Sequence, residues 1–411
     1  MSVRKRSWKT DRGELREAWV VDYSDQLGHR HLKTFARKRD ADAYHAQATV
    51  DVGAGIHTAD SRSITVGEAG QLWLKSREAA GLERASLANY QDYLDLHIAP
   101  LIGATKLAAL TVPFVREFED RLRADRSPAM VRKILVALSG ILADAQDRGL
   151  VAQNVVRNRR SHNNGAADAR RQRRLEIGVD IPTPHEVRTL IARLGGGRAR
   201  PMLLTAIFTG LRASELRGLR WADVNLARNE LHVRQRADRF GTIGSPKSAA
   251  GRRTIPLLPM VANALREWRL ACPRAESDLV FPGEHDRPYA LSTIIKHVWH
   301  PAQIAAGIVA ANGGAKYRGL HALRHFYASW CINRRADGGL ELPIKMVQGR
   351  LGHAGIQMTA DRYGHLFPRG DDTAELAAAE KAFWLSSASV QPAAVRPGAF
   401  ADDPLVLRIL W

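Results

Sequence analysis

The sequence predicts a mainly α-helical chain with small β elements. It is built as a small α+β module, an all-α domain and a larger, mixed but mostly α domain. Three observations carry the prediction. Two helix starts of capping-box form, Thr65-Val66-Gly67-Glu68 and Thr183-Pro184-His185-Glu186, each open a long region of helical patterning. Strand-like patterning is confined to residues 18–35 and 230–257. Between the helical regions, residues 157–176 lose apolar periodicity and carry seven Arg against Asp168 and Glu176.

In chain order, Ala18–Tyr23 and His31–Phe35 read as strands joined by the polar turn Asp25-Gln26-Leu27-Gly28, with a helix over Ala41–Val50. So small a core suits an appended module, residues 1–60. Helices are expected at about 65–80, 86–98, 112–125 and 128–148; in the second, Leu87, Tyr90, Leu94 and Ile98 form one apolar stripe. This places an all-α domain at 64–155. Residues 156–178 read as a basic linker, both a hinge and a segment able to lie along a phosphate backbone. A third domain, 179–372, is helical apart from the patch Glu230–Arg234, a turn near Gly241–Ser245 and Arg252–Leu257. Residues 373–411 read as a helix followed by a Ser/Ala/Pro-rich tail.

The 411 residues are 45% apolar and 25% charged, the balance of a globular protein with buried cores. Lys and Arg number 61 against 42 Asp and Glu, a net charge of +19, and all but 12 of the 61 are Arg. Arg grips phosphate through two parallel hydrogen bonds, so a polyanionic partner, nucleic acid above all, is expected. Cys272 and Cys331 form no disulfide framework or CxxC pair, which fits a cytoplasmic setting. MSVRKRSWKTDRGE lacks the apolar stretch of a signal peptide, and no run of eighteen apolar residues is present, so no membrane partner is expected. Leu194-Gly195-Gly196-Gly197 lacks the Lys-Ser/Thr of a phosphate-binding loop, which argues against nucleoside triphosphate hydrolysis.

Four clusters in the last two hundred residues can carry chemistry. In Thr209–Leu216, Gly210 allows a break before a helix headed by Arg212, whose guanidinium and nearby N–H groups can converge on an anion. Glu215, three residues on, either holds that guanidinium or makes an ordinary surface ion pair. Lys247 lies at the tip of an expected hairpin, as a reaching cation or a solvated turn lysine. In His321-Ala322-Leu323-Arg324-His325, an imidazole and a guanidinium three residues apart suit phosphoryl chemistry. A metal reading of His321 and His325 fails, since Ala322 stands where HExxH has its Glu. Last come Arg350-Leu351-Gly352-His353 and Asp361-Arg362-Tyr363-Gly364-His365; neighbouring cations ease loss of the Tyr363 proton and make it a nucleophile, unless the ring is simply structural. His29-Arg30-His31 alternates on a strand and reads as solvated or DNA-facing.

Taken in order, Arg212, Lys247, His321, Arg324, His353 and Tyr363, within TGLRASELRGLRWADV (209–224), HALRH (321–325) and LGHAGIQMTADRYGH (351–365), resemble the tyrosine recombinases of the phage-integrase family. The resemblance covers most of the chain; Ala322, where relatives are often polar, is a minor departure.

It implies a catalytic domain of the tyrosine recombinase type at 179–372, a helical core-binding domain at 64–155 and an N-terminal arm-type DNA-binding module at 1–60. Arg212 and Arg324 would clamp the scissile phosphate. Tyr363 would attack to leave a 3′-phosphotyrosine, Lys247 would protonate the departing 5′-oxygen, His321 would assist proton movement at the tyrosine, and His353 would hydrogen-bond the phosphate. The resemblance further implies DNA attachment sites as substrate, a monomer when free and a homotetramer on DNA, and no metal or cofactor. A DNA-bending accessory protein and an excision factor would be partners. A type IB topoisomerase and a DNA-binding regulator with a relic site are the rival readings.

Overall fold

A computed structural model describes residues 2–9, 14–25, 28–53, 63–151, 153–158, 174–273, 276–367 and 372–387. It is mostly helical, 56% helix, with small sheets. The chain divides into two compact units, Met1–Arg173 and Arg174–Trp411, a division inside the expected linker. Most of that linker, 159–173, and the tail 388–411 lie outside the described residues.

The first unit opens with an antiparallel meander, β1 (Ser2–Lys9), β2 (Leu15–Ser24) and β3 (Arg30–Phe35), followed by α1 (Lys38–Gly53). Val21, Tyr23 and Ala41 form its core with Trp19, Phe35 and Tyr44 packed around them. β1 has almost no buried side chain, so its sequence carries no strand pattern. It forms because β2 offers a paired edge over the full register Ser2↔Asp22 to Lys9↔Leu15. His31 is not the solvated or DNA-facing group its alternation suggests: Nε2 lies 2.9 Å from Asp25 Oδ2, and the side chain is mostly buried.

The helical domain consists of α2 (Val66–Ala79), α3 (Arg84–Tyr93), α4 (Val112–Asp125) and α5 (Pro128–Asp147). Thr65 and Glu68 close the expected capping box, Glu68 N donating to Thr65 Oγ1 at 3.2 Å and Thr65 N to Glu68 Oε2 at 2.8 Å. α3 runs into a π-helical turn, Leu94–Ile98, that turns both Leu94 and Ile98 into the core with Phe118, Ile134, Leu138 and Ile141. Gly140 admits α2 closely, since a Cβ there would lie 2.9 Å from the Trp73 ring.

The second unit begins with the second capping box: Thr183 N donates to Glu186 Oε2 at 2.8 Å. It contains α6 (Pro184–Arg193), α7 (Ala199–Thr209), the short α8 (Ala213–Arg217), α9 (Pro259–Ala271), α10 (His321–Ile332), α11 (Ile344–Leu351), α12 (Ile356–Tyr363) and α13 (Asp372–Ser387). α7 and α10 are buried on nearly all sides and form the centre of its core.

β4 (Val224–Asn225), β5 (Glu230–Val233) and β8 (Arg253–Pro256) make a three-stranded sheet, while β6 (Arg236–Ala237) and β7 (Ile243–Gly244) pair separately. Lys247 therefore sits past a hairpin of its own, in the exposed segment between β7 and β8, rather than at a tip joining the two longer strands. Buried Arg217 ties that insertion down, donating to Asp238 O at 2.8 Å and Tyr289 O at 2.6 Å. Among the described residues no helix is long and apolar enough to cross a membrane.

Candidate active site

Gly210 ends α7 in the left-handed region (φ 60°), and a Cβ there would lie 2.4 Å from the Tyr327 ring; turn and close approach both require glycine. The chain then swings Arg212 to the head of α8. Its backbone N–H and Nη1 both go to Glu215, at 2.9 and 2.8 Å, and Nη2 donates to Gly352 O at 3.2 Å. Those contacts orient the guanidinium, but they also consume the backbone N–H that was expected to face an anion.

Glu215 is buried and takes a second guanidinium, Arg253 of β8, at 2.8 and 3.2 Å. Burial alone pushes its carboxyl up, yet the bonds and charge of Arg253 and Arg212 outweigh this and hold it below the ordinary carboxylate value. Arg253 was not singled out in the sequence; it reaches Arg350 O at 2.7 Å and so ties β8 to α11. Gly352, again left-handed (φ 64°), leaves room for it, since a Cβ would lie 2.8 Å from Arg253 Nη1.

From α10, Arg324 is 1% exposed and donates to Gly210 O at 2.6 Å and Leu351 O at 2.5 Å. Burial first and the charge of Arg212 next push its pKa down to about 10. His353, in the turn after α11, shares a 2.9 Å hydrogen bond with buried Thr359 through Nδ1. Tyr363 closes α12; its ring is parallel to that of His353, and its hydroxyl lies 2.8 Å from His325 Nδ1. His321 packs edge-on against His325, with ring centroids 4.6 Å apart.

These contacts gather Arg212, His321, Arg324, His353 and Tyr363 around one point, while Lys247 is carried on its exposed segment. His325 joins them at the phenol, one turn after His321. The sequence displayed it only as half of a metal pair, although its i,i+4 spacing from His321 already put both on one helix face. Among the described residues, no group of three or more His, Cys, Asp or Glu is placed to hold a metal ion.

The phenol differs from expectation in one respect. Arg324, Arg362 and Arg212 do favour its ionisation, but burial is the larger effect and pushes Tyr363 up to about 12. In this state the phenol is neutral and 1% exposed. Burial and the same guanidiniums hold His325 and His353 down at about 3 and 4, so both are neutral at physiological pH.

An acid limb in stability follows. An unfolded histidine takes up its proton near 6.5, whereas folded His325 and His353 do so only near 3 and 4. The stabilising difference is therefore complete above pH 6.5 and is lost as pH falls toward those folded values. Each of these two contributes a slope of up to about 1.4 kcal/mol per pH unit. Denaturant unfolding between pH 7 and 4.5 is expected to show stability falling with pH, and His353→Asn to flatten the fall; a pH-independent midpoint would contradict the burial of these rings.

A mostly helical domain sets one tyrosine among guanidinium and imidazole groups, an arrangement whose positive charge suits phosphoryl chemistry. Residues 183–369 match the model of the phage integrase family, so this chain carries a phage integrase family domain.

The chain is similar to a XerC-like tyrosine recombinase of Caldanaerobacter subterraneus subsp. tengcongensis, 23% identical over 81% of this chain and 87% of the relative. It is 31% identical to the tyrosine recombinase XerC of Xylella fastidiosa (strain 9a5c) over 42% of this chain, spanning about half (49%) of that protein. Among solved structures, it resembles the Tn1549 transposon integrase in complex with a circular intermediate DNA, with TM-score 0.60, 17% identity and coverage of 78% of this chain and 100% of that one. A lambda integrase tetramer bound to a Holliday junction matches with TM-score 0.53 and 16% identity over 85% and 95%. At these identities the two structures speak for the fold.

Proposed function

We propose that this protein is a site-specific DNA recombinase that cuts and rejoins DNA strands through a 3′-phosphotyrosine intermediate, integrating or excising a mobile element such as a prophage. One observation carries the reading: a buried phenol held by an imidazole beside two guanidiniums, Arg212 and Arg324, from different helices. A scissile phosphate placed between these guanidiniums receives charge-assisted hydrogen bonds, which strengthen as the phosphorane gains negative charge.

Tyr363 attacks phosphorus, and Lys247, carried on the exposed segment between β7 and β8, gives a proton to the departing 5′-oxygen. His353, oriented by Thr359, hydrogen-bonds the phosphate. One phosphodiester becomes one phosphotyrosine and the exchange reverses, so bond energy is conserved without ATP.

The remaining domains fit the same reading. The helical domain, 64–155, holds the core site with the catalytic domain, 179–372; the N-terminal module, 1–60, takes arm-type sites; and the linker, 156–178, follows the phosphate backbone. Free protein is a monomer, four protomers assemble on DNA, and a DNA-bending protein and an excision factor set direction. The Holliday-junction tetramer of the similar lambda integrase supports the assembly.

Recombination between two plasmid-borne attachment sites, taken from the DNA flanking the gene, tests the proposal. Joint molecules are expected only when both sites are present. Relaxation of supercoiled plasmid lacking any site would assign the chain to topoisomerase chemistry instead.

In α13, the exposed Leu376, Phe383 and Trp384 are apolar side chains suited to docking on a neighbouring protomer. A chain ended at Asp371 is expected to bind its site but lose the tetramer in gel-shift and sedimentation assays. A tetramer of full strength from that chain would reject this role for α13.

A further inference from the structure

We infer that His325, rather than His321, takes the phenolic proton as Tyr363 attacks, and that His321 passes it to solvent. This rests on the phosphotyrosine reading above and names a residue for one of its steps.

Two imidazoles face the Tyr363 ring and a third packs against one of them, and their contacts sort them. His353 has its Nδ1 engaged by Thr359. His321 is exposed at the start of α10 and meets the edge of the His325 ring. His325 is buried, and its Nδ1 is 2.8 Å from the phenolic oxygen, within the distance at which a general base works. In the tautomer with hydrogen on Nε2, Nδ1 accepts the Tyr363 hydrogen. The chain of groups therefore runs phenol, buried imidazole, exposed imidazole, water.

The step balances without another reactant. The Tyr363 O–H bond breaks and its proton moves to His325 Nδ1 while the oxygen forms a bond to phosphorus. The P–O5′ bond breaks, and the 5′-oxygen takes a proton from Lys247. The imidazolium then releases its Nε2 proton through His321. On rejoining, the incoming 5′-hydroxyl gives its proton to the Lys247 amine as its oxygen attacks phosphorus, and His325, reprotonated through His321, gives a proton to the departing Tyr363 oxygen as the P–O bond to the phenol breaks.

The surroundings of His325 explain why the site rests until DNA arrives. His321 and Arg324 face it from its own helix, Arg362 and Tyr363 from α12, and His353 from the turn before it. In free protein burial and this cationic ring hold it at about 3, a weak base against a phenol at about 12. A phosphodiester anion between the guanidiniums offsets their charge and raises the basicity of His325 where the proton must go. Phosphorus bonding acidifies the phenol at the same moment, so no free phenolate need accumulate.

The test is single-turnover covalent trapping on a nicked suicide duplex at saturating DNA, across pH 6 to 9. His325→Gln keeps a hydrogen-bond acceptor but cannot be protonated. It is expected to bind DNA as wild type and to form adduct about 10²–10⁴-fold more slowly near neutrality. Its rate should climb with pH as hydroxide replaces the base. A fluorotyrosine at 363, whose phenol is more acidic, should restore most of the loss in His325→Gln and change wild type little.

A His325→Gln rate within threefold of wild type, or a loss indifferent to both pH and fluorotyrosine, overturns the assignment. Should His325→Gln not fold, His325→Asn, which is smaller, takes its place in the same comparison. Wild type without any adduct would sink the phosphotyrosine reading itself; adduct lost in Tyr363→Phe but normal in His325→Gln would sink only this inference.

Discussion

Tyr363→Phe is expected to bind attachment-site DNA with wild-type affinity and form no covalent adduct. Phe fills the same buried volume and removes only the phenolic oxygen, so packing around α12 survives. The loss of the 2.8 Å bond to His325 leaves a buried ring nitrogen unpaired, a cost of about 1–3 kcal/mol, which a domain of this size tolerates. DNA affinity comes from cations across the surface, and these are unchanged. Chemistry is lost outright, because neither other buried tyrosine of this unit, Tyr317 or Tyr327, is a substitute. Burial, and a 2.8 Å hydrogen bond that Tyr317 donates to the Glu186 carboxylate, drive the Tyr317 pKa up and disfavour its phenolate. Tyr327 lies beneath Gly210, buried against Cys331. Labelled suicide duplex on a denaturing gel gives the answer, and a shifted band from Tyr363→Phe would move the nucleophile elsewhere.

The second large effect belongs to a buried residue, Glu215. Glu215→Gln keeps the shape of a side chain that is 3% exposed but removes the one negative charge shared by Arg212 and Arg253. Breaking a buried pair at one partner costs about 3–5 kcal/mol, because Arg253, with only 5% of its side chain exposed, is left uncompensated. For a unit this large that lowers Tm by on the order of 10 °C. Cleavage by whatever remains folded should fall about 10²–10³-fold as the Arg212 guanidinium loses its orientation.

Asp144→Asn, which removes a partner of the more exposed Arg148, should cost under about 1 kcal/mol and serves as the contrast. Because the folded Glu215 carboxyl is held below 4.5, its contribution is complete above that value and fades as pH falls through the folded one. Glu215→Gln should lack this part of the acid limb. A Tm within 2 °C of wild type would show that Arg253 finds another partner.

Much of this site is legible in one dimension. Local signals carried Arg212, Arg324, His353 and Tyr363: a glycine break before an arginine, an HxxR on a helix, a GH turn and a DRYGH helix end. Both capping boxes marked true helix starts because a cap is a bond between residues three apart. The β1 strand was not legible, since its side chains are exposed and its order comes from the register imposed by β2. Nor was the role of Arg253, whose partners lie 38 and 97 residues away.

His321 and His325 differ by one helical turn within a segment buried on nearly every side, so local periodicity could not say which ring would meet the phenol. The protonation of that phenol is set by depth as well as by charge. Counting nearby cations captures attraction, whereas the larger desolvation cost depends on how deeply the ring is buried.

By itself the sequence determined the helical class, both capped helix starts, the basic surplus and most of the side chains that meet around Tyr363, because those depend on residue type and short-range spacing. Only the tertiary structure decided which imidazole meets the nucleophile, what anchors the arginines and how hard the phenol is to ionise. Those are set by distances and exposure between segments remote along the chain, and electrostatic energies depend on that separation and burial rather than on position in the sequence.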